Sequence, residues 1–407
     1  MNSSEASVAR IQHPLAAIDE SIGESRLGPA ERDVRDRVRA IVAEVIAPRA
    51  REVDELARFP YEAIAALSEA GLAGLLIPRD LGGSGHSTLA YVAAMEEISA
   101  ACGSTATVYM TQMHAAYPIL VAGTDEQRRR WVPPLSQGRA YGSLAVTEPN
   151  AGSDVASLRT FARRDGDAYV LSGTKTFIST GDLASTVVVF ATVDRNAGRD
   201  GITAFVVERG TPGFESGAVM HKLGMRGAST TEIFFDECRV SAANRLGGEG
   251  EGWQLSMRSV VKSRLSAAAQ GVGLARGALE HARAWAASRG LLRGTGVPAQ
   301  DVQFVLADAR ARIAAARALL YETAILADQP GLEPVSEVSM AKLVCTDCAM
   351  AVANDLVDVL GDEGDLVEHG VERYLRDAKV TQIYDGTNQI QRLLIARDLR
   401  ALTERPR

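Results

Sequence analysis

Aromatic side chains are scarce in this chain: Phe, Trp and Tyr make up 5% of 407 residues, although apolar residues of all kinds reach 46%. A core short of rings and rich in Ala is filled by helices packed closely on small side chains, not by an aromatic-rich sandwich. Cysteine is rare as well. Four scattered thiols are too few for a disulfide framework, and a cytoplasmic setting is expected. The start carries Glu5, Asp19 and Glu20 and lacks the basic region and apolar stretch of a secretory signal. The longest apolar runs, such as Val187 to Ala191, fall far short of the about 20 residues needed to span a bilayer. Positive charge is not in excess either. With 44 Lys and Arg against 51 Asp and Glu, a formal charge of -7, there is no polybasic footprint for nucleic acid or an anionic membrane.

The length suggests two or three domains. Residues 1–25 are polar and aperiodic, and are expected to form a flexible extension. Apolar residues then recur at helical spacing from Ala30 to Val53, Tyr61 to Ala70, Thr88 to Ala101 and Thr107 to Val121. These define a helical domain over 26–140. Near Tyr141 the texture changes to short β-prone runs at Ala168 to Leu171, Thr186 to Thr192, Thr203 to Glu208, Phe214 to Ala218 and Thr231 to Val240. A small β domain over 141–250 follows. Beyond the loop Gly247–Gly252, helical periodicity returns from Trp253 to Arg289, Pro298 to Asp328, Val335 to Leu360 and Val371 to about Leu402, predicting a C-terminal four-helix bundle over 251–407.

Several short motifs carry no chemistry. Gly271-Val-Gly273-Leu-Ala-Arg276 is half of a dinucleotide fingerprint, yet it lies mid-helix with no strand before it, where close helix packing explains it. Cys345-Thr-Asp-Cys348 falls on an apolar helix, and its thiols read as core. The six His residues show no metal-ligand spacing.

Other segments carry more. The run Arg376-Asp-Ala-Lys-Val-Thr-Gln-Ile-Tyr384-Asp385-Gly386-Thr387-Asn388-Gln389-Ile-Gln391-Arg392 resembles the active-site signature of the acyl-CoA dehydrogenase superfamily. Two further segments follow that family in order and separation: Leu144-Ala-Val146-Thr147-Glu148-Pro149-Asn-Ala-Gly152-Ser153-Asp154 and Ser172-Gly-Thr-Lys175-Thr-Phe177-Ile178-Ser179-Thr-Gly181. Taken alone, the first is also an ordinary β-turn and the second an ordinary strand. Together with the helical, β, helical order, the resemblance covers nearly the whole chain.

The resemblance implies a FAD-dependent α,β-dehydrogenation of an acyl thioester, CoA-bound or bound to an acyl carrier protein. Electrons would pass to a flavoprotein or to oxygen, and the enzyme would be a homotetramer. Asp385 stands where the family usually has a catalytic Glu. In a branch similar to isovaleryl-CoA dehydrogenases the Glu lies on the helix just before an Arg; here that place holds Ser263, before Arg264, which leaves Asp385 as the base that the resemblance supports. Flavin contacts are implied for Leu144, Val146, Thr147, Gly152, Ser153, Phe177, Ser179, Thr387 and Gln389, and for Arg289, Gln300 and Gly361 reaching a neighbouring subunit's flavin. Substrate contacts are implied for Ser153, Arg264 and Gly386. Arg226 would tie the β domain to its neighbours through carboxylates or carbonyls.

The pattern also departs from the family. Asp is shorter than Glu by one methylene, about 1.3 Å, and a displacement of that size costs up to about 100-fold in rate unless the substrate or backbone moves to meet it. A nitroalkane-oxidising branch is similar in using Asp at this place, so a flavin oxidase is a second reading. A flavin-bound regulator without turnover is a third. Leu292 and Arg293 replace the family's Phe-Gly after Arg289, and Asp358 and Asp362 bring acid to the region around Gly361.

Overall fold

Small residues decide how the helices meet. The computed structural model describes Gly23 and residues 25–403, with side chains to Arg400; most of the extension expected over 1–25 lies outside the described residues. The first helical layer comprises α1 (Pro29–Ile41), α2 (Ala50–Glu55), α3 (Tyr61–Glu69), α4 (Thr88–Ala101), α5 (Gly103–Ala122) and α6 (Asp125–Ser136). The run expected to be continuous from Ala30 to Val53 changes winding at Val42–Arg49, where Pro48 interrupts the regular ladder. The sequence reading did not find α6. Its paired Pro133 and Pro134 argue for a break, but a capping box between Thr124 and Gln127 starts the helix.

The second unit is a mixed sheet of β1 (Gly142–Ala145), β2 (Phe161–Asp165), β3 (Ala168–Ser179), β4 (Thr186–Thr192), β5 (Ile202–Glu208), β6 (Phe214–Ser216), β7 (Thr230–Ser241) and β8 (Arg245–Leu246). The strands run in the order β6-β7-β3-β2-β4-β5-β8, and β1 lies parallel to β4. Strand β4 is buried on both faces. Val187 and Val189 join Tyr169, Phe205 and Phe235, while Val188 and Phe190 join Trp131 and Leu255 of the helical layers. That two-sided burial is why β4 reads as an unbroken apolar run and not as an alternation.

The third unit consists of α7 (Gly252–Ser288), α8 (Val297–Ala327), α9 (Val335–Val359), α10 (Glu372–Thr381) and α11 (Asn388–Thr403). From Ser263 to Glu280, α7 is buried on all sides. A Cβ placed on Gly271 would lie 2.7 Å from the Cys345 carbonyl oxygen of α9, and one on Gly273 would lie 2.4 Å from the Glu96 carbonyl oxygen of α4. The glycines therefore let backbones touch, as expected of packing and not of a nucleotide fingerprint. Buried charges join the same helices: Arg276 of α7 grips Glu97 of α4 at 2.7 and 3.0 Å, and Arg317 of α8 holds Glu96 at 3.0 Å. Cys345 and Cys348 are buried, free thiols of this core.

Two expectations are corrected here. The helix expected from Val371 to Leu402 is broken between α10 and α11, because Asp385 and Gly386 take left-handed backbone angles, φ 55 and 86, that a right-handed helix excludes. Arg226 has no hydrogen-bonded or ionic partner among the described residues. The turn around it docks instead through backbone: Met225 N–H donates to Asp377 and Gly227 N–H to Ser104 Oγ at 3.1 Å. Among the described residues, no helix is long and apolar enough to cross a membrane.

Exchanging Gly for Ala inside an exposed helix gains about 1 kcal/mol. At Gly273 the new methyl meets the α4 backbone, and Gly273→Ala is expected to destabilise by about 1–3 kcal/mol, read as a lower denaturant midpoint with an unchanged slope.

Candidate active site

The loop Gln382–Thr387, between α10 and α11, is held from several sides. Gln391 Nε2 donates to the Gly386 carbonyl at 2.7 Å. Gln382 Nε2 donates to Asp347 at 2.7 Å. The Tyr384 hydroxyl donates to Gln270 of α7. Thr387 Oγ1 accepts from Ile390 N–H at 3.3 Å and so starts α11. Beneath it Lys342, fully buried on α9, donates to Asn388 Oδ1 at 2.7 Å. The left-handed angle at Asp385 is one that Asp tolerates better than most residues, so the break is built from residues suited to it.

The side chain this loop presents has no partner. Asp385 Oδ2 is buried without a hydrogen bond, and so is Nε of Arg264, a residue 5% exposed on α7. The two groups form no ion pair within 4 Å with each other or with any described residue. Desolvation drives the Arg264 guanidinium down to about 10 against the opposing pull of Asp385. Burial likewise lowers Lys342 to about 8, with Asp385 again opposing. Buried polar groups left unsatisfied cost stability unless a ligand meets them. Tyr91 and His114 complete the surround: both share Ser266 Oγ, at 2.9 and 3.4 Å, and both lie within the field of Asp385. Burial lowers His114, which is therefore neutral near pH 7. Ser263 is buried, and its hydroxyl donates back to the Val260 carbonyl at 3.0 Å.

A second group of implied residues sits on the sheet. Thr176 N–H donates to the Thr147 carbonyl at 3.0 Å, and Ser143 Oγ donates to the Ser179 carbonyl at 2.8 Å, so the segment bearing Leu144, Val146 and Thr147 lies against the segment bearing Phe177 and Ser179. Phe177 occupies a bulge at φ 57 and is 68% exposed. A left-handed angle at a bulky residue is an outlier of the kind that clusters at functional sites. Thr180 Oγ1 nearby is buried without a partner. Gly152 and Ser153 are exposed, and nothing lies within 4 Å of a Cβ built on Gly152. An uncovered ring, free backbone and an orphaned hydroxyl fit the edge and face of a flavin.

The Val146–Glu148 turn is fixed from below by a buried ion pair. Lys175, wholly buried, donates to Glu148 Oε1 at 2.8 Å and to the Val146 carbonyl at 2.9 Å. Glu148 also accepts from the Arg159 and Thr160 N–H groups at 2.6 and 2.9 Å. Burial alone would raise the Glu148 carboxyl, but Lys175 and these donors more than offset it and hold it below the ordinary range.

Arg289, Gln300 and Gly361 are not brought to this group. Arg289 lies 25 residues beyond Arg264 on the α7 line, about 38 Å at helical rise. It pairs with Glu363 and stacks over Trp285 at 4.7 Å. Gln300 and Gly361 are exposed, and Gln389 also faces outward. The sequence reading missed Tyr91, His114, Ser266, Gln270 and Lys342. One signal was available: Ser259, Lys262, Ser263 and Ser266 recur at i, i+3, i+4 and i+7 and so share one face of α7.

Comparison with known proteins bears on the same segments. Residues 28–139, 143–238 and 250–400 match the models of the acyl-CoA dehydrogenase N-terminal, middle and C-terminal domains. An acyl-CoA dehydrogenase of Bacillus subtilis is 41% identical over 369 residues, which are 90% of this chain and 97% of that protein. Among solved structures, butyryl-CoA dehydrogenase from Megasphaera elsdenii is 34% identical with a TM-score of 0.87, covering 92% of this chain and 98% of that one. A structure described as the electron transferring flavoprotein of Acidaminococcus fermentans is 35% identical with a TM-score of 0.87, again over 92% and 98%.

Removing one partner of a buried ion pair strands the other and costs about 3–5 kcal/mol. Glu148→Gln is therefore expected to lower the thermal midpoint markedly. Because the Glu148 carboxyl is depressed in the folded state, its stabilisation is present above the unfolded glutamate value and is lost as pH falls through the lower folded one. An acid titration of stability should accordingly be flatter in Glu148→Gln than in the parent; an equally steep acid limb would contradict the assignment.

Proposed function

The chain belongs to the acyl-CoA dehydrogenase family, and we propose that Asp385 is the base of its FAD-dependent α,β-dehydrogenation of an acyl-CoA. The observation that carries this is the pair of orphaned groups: a carboxylate oxygen of Asp385 and the Arg264 guanidinium nitrogen, both shut away from water with no protein partner. A thioester's α-proton is weakly acidic, so its removal needs a carboxylate that is desolvated and free to accept. Asp385 Oδ2 is shut away from solvent and accepts no hydrogen bond.

The developing enolate needs donors at the carbonyl oxygen. The backbone N–H of Asp385 donates to no described residue and is the donor proposed for that oxygen. Arg264, whose Nη2 would lie 3.7 Å from a Cβ on Gly386, supplies positive charge beside the thioester end. Gly386 itself leaves room for the thioester: its φ of 86 and the Gln391 amide 2.9 Å from a built Cβ leave no place for a side chain. Ser153, exposed on its turn, is proposed to meet the thioester's CoA arm.

Leu144, Val146, Thr147, Gly152, Ser153, Phe177 and Ser179, with Thr387 and Gln389, are the residues proposed to hold FAD. When bound, the flavin supplies the acceptor for the hydride leaving Cβ. Arg289, Gln300 and Gly361 are proposed to act on the flavin of a second subunit in a homotetramer, which the distance of Arg289 from Arg264 and the exposure of Gln300 and Gly361 support. The kind of partner that takes the electrons is a flavoprotein; transfer from an acyl carrier protein, or to oxygen, is left to experiment.

Anaerobic titration with butyryl-CoA tests the assignment. The parent enzyme is expected to bleach its flavin, and release of peroxide in air would instead favour the oxidase reading. Asp385→Asn should stay yellow and lose about 10²–10⁴ of its reduction rate, whereas Asp385→Glu, which keeps a carboxylate, should retain far more. Undiminished reduction in Asp385→Asn would remove Asp385 from the role.

A further inference from the structure

The loop that presents Asp385 is pinched at its neck. Asp385 lies three residues from Gln382 and three from Asn388, and the Asn388 N–H donates to the Gln382 carbonyl at 3.0 Å, closing the loop on itself. Both neck residues then meet one carboxylate oxygen of α9: Gln382 Nε2 and Asn388 Nδ2 each donate to Asp347 Oδ1 at 2.7 Å. The other Asp347 oxygen accepts from Arg392 at 3.1 Å. Asn388 spends the rest of its side chain on the same stretch of helix. Its Nδ2 also donates to Thr346 Oγ1 at 3.0 Å, and its Oδ1 accepts from Lys342 Nζ at 2.7 Å. Lys342 and Thr346 stand at i and i+4 on α9 and so share a face. Every polar atom of the Asn388 side chain is thereby engaged.

The charge in this clasp exceeds what a tether needs. Lys342 is wholly buried and makes no ion pair among the described residues. An ammonium taken out of water with an amide oxygen as its partner costs stability, and a neutral donor would hold Asn388 Oδ1 without that cost. Burial brings Lys342 down to about 8; Asp385 comes first among the charges that oppose this, ahead of Asp347, while Arg264 of α7 works the other way. Asp347 is already answered by Arg392 and two amides. The carboxylate still without a partner in the field of Lys342 is therefore Asp385, whose Oδ2 accepts no hydrogen bond.

Resting on the reading of Asp385 as the base, we propose that Lys342 is a positioning residue for the reaction: through Asn388 it fixes the neck of the loop, and so the reach of the Asp385 carboxylate toward the substrate's α-carbon. The loop has need of such a device. Its apex turns through left-handed angles at Asp385 and Gly386, φ 55 and 86, and carries a side chain one methylene shorter than Glu. A loop free to rock on its neck would lose the alignment, and a displacement near 1 Å costs up to about 100-fold in rate. Lys342 acts from beneath, through Asn388 and the loop. Its effect on the reaction is therefore confined to a protein that retains the Asp385 carboxylate.

The test sets Lys342→Met, similar in volume and uncharged, against the parent on the FAD-loaded enzyme with butyryl-CoA. The variant is expected to reduce its flavin about 10- to 100-fold more slowly at saturation, with KM changed by no more than about threefold. In an Asp385→Asn background the same substitution should slow the residual reduction by less than about twofold, because the two residues act as one unit. Hydrogen exchange of the Asn388 amide, which reports the neck directly, should quicken in Lys342→Met with or without FAD. Should Lys342→Met fail to fold, Thr346→Val, which removes the hydroxyl that accepts from Asn388, carries the same comparison with a smaller loss. Reduction at the parent rate, or an equal slowing in both backgrounds, overturns the proposal and leaves Asp385 as the base. If Asp385→Asn alone proves undiminished, the base reading falls and this inference falls with it.

Discussion

Helix α7 can serve the site only because its neighbours touch its backbone. Between Ser263 and Glu280 it is enclosed on every side, and Gly271 and Gly273 admit α9 and α4 to distances that any side chain would forbid. That contact fixes α7 in rotation and in height. Arg264 then faces the loop of Asp385, Ser266 joins Tyr91 to His114, and Gln270 receives the Tyr384 hydroxyl. The scarcity of aromatics is the compositional trace of the same constraint, since bulky rings would hold these backbones apart.

The charges of the interior divide into two classes. Glu96, Glu97, Glu148 and Lys175 are buried and fully answered by partners on other elements, so they bind helix to helix and strand to turn. Arg264 is buried and Asp385 half-buried, and Asp385 Oδ2 and Arg264 Nε are shut away from water and left unanswered. Since an unpaired buried charge is expensive, the two survive because the rest of the core is stable enough to hold them in waiting. The contacts they leave open are the ones that a thioester carbonyl is proposed to supply.

Asp385, proposed to take the place of the family's Glu, is matched to its backbone. At φ 55 a short polar side chain is tolerated where a longer one gains nothing from the helix it has left. The loop around it is tied by Gln382, Gln391 and Asn388 to α9 and α11, so the reach lost with one methylene is set against a loop that is fixed in place. At the other end of α7, Arg289 rests on Glu363 and Trp285.

The sequence by itself determined the family and the helical, β, helical order, and it singled out the segment proposed to bear the base, because periodicity, turn residues and motif spacing are local properties written in consecutive residues. Strand β4 and the long bundle helices were legible for that reason. Helix α6 was not, since a capping box outweighed two prolines, and neither was the break at Asp385, since adjacent left-handed angles leave little mark on an otherwise helical pattern. Only the tertiary structure decided which charges are paired and which are not. Asp385, Arg264 and Lys175 look alike as charged residues in the chain; what separates a clamp from an unpaired group is whether distant elements bring a partner within reach, and that depends on how the helices and strands pack.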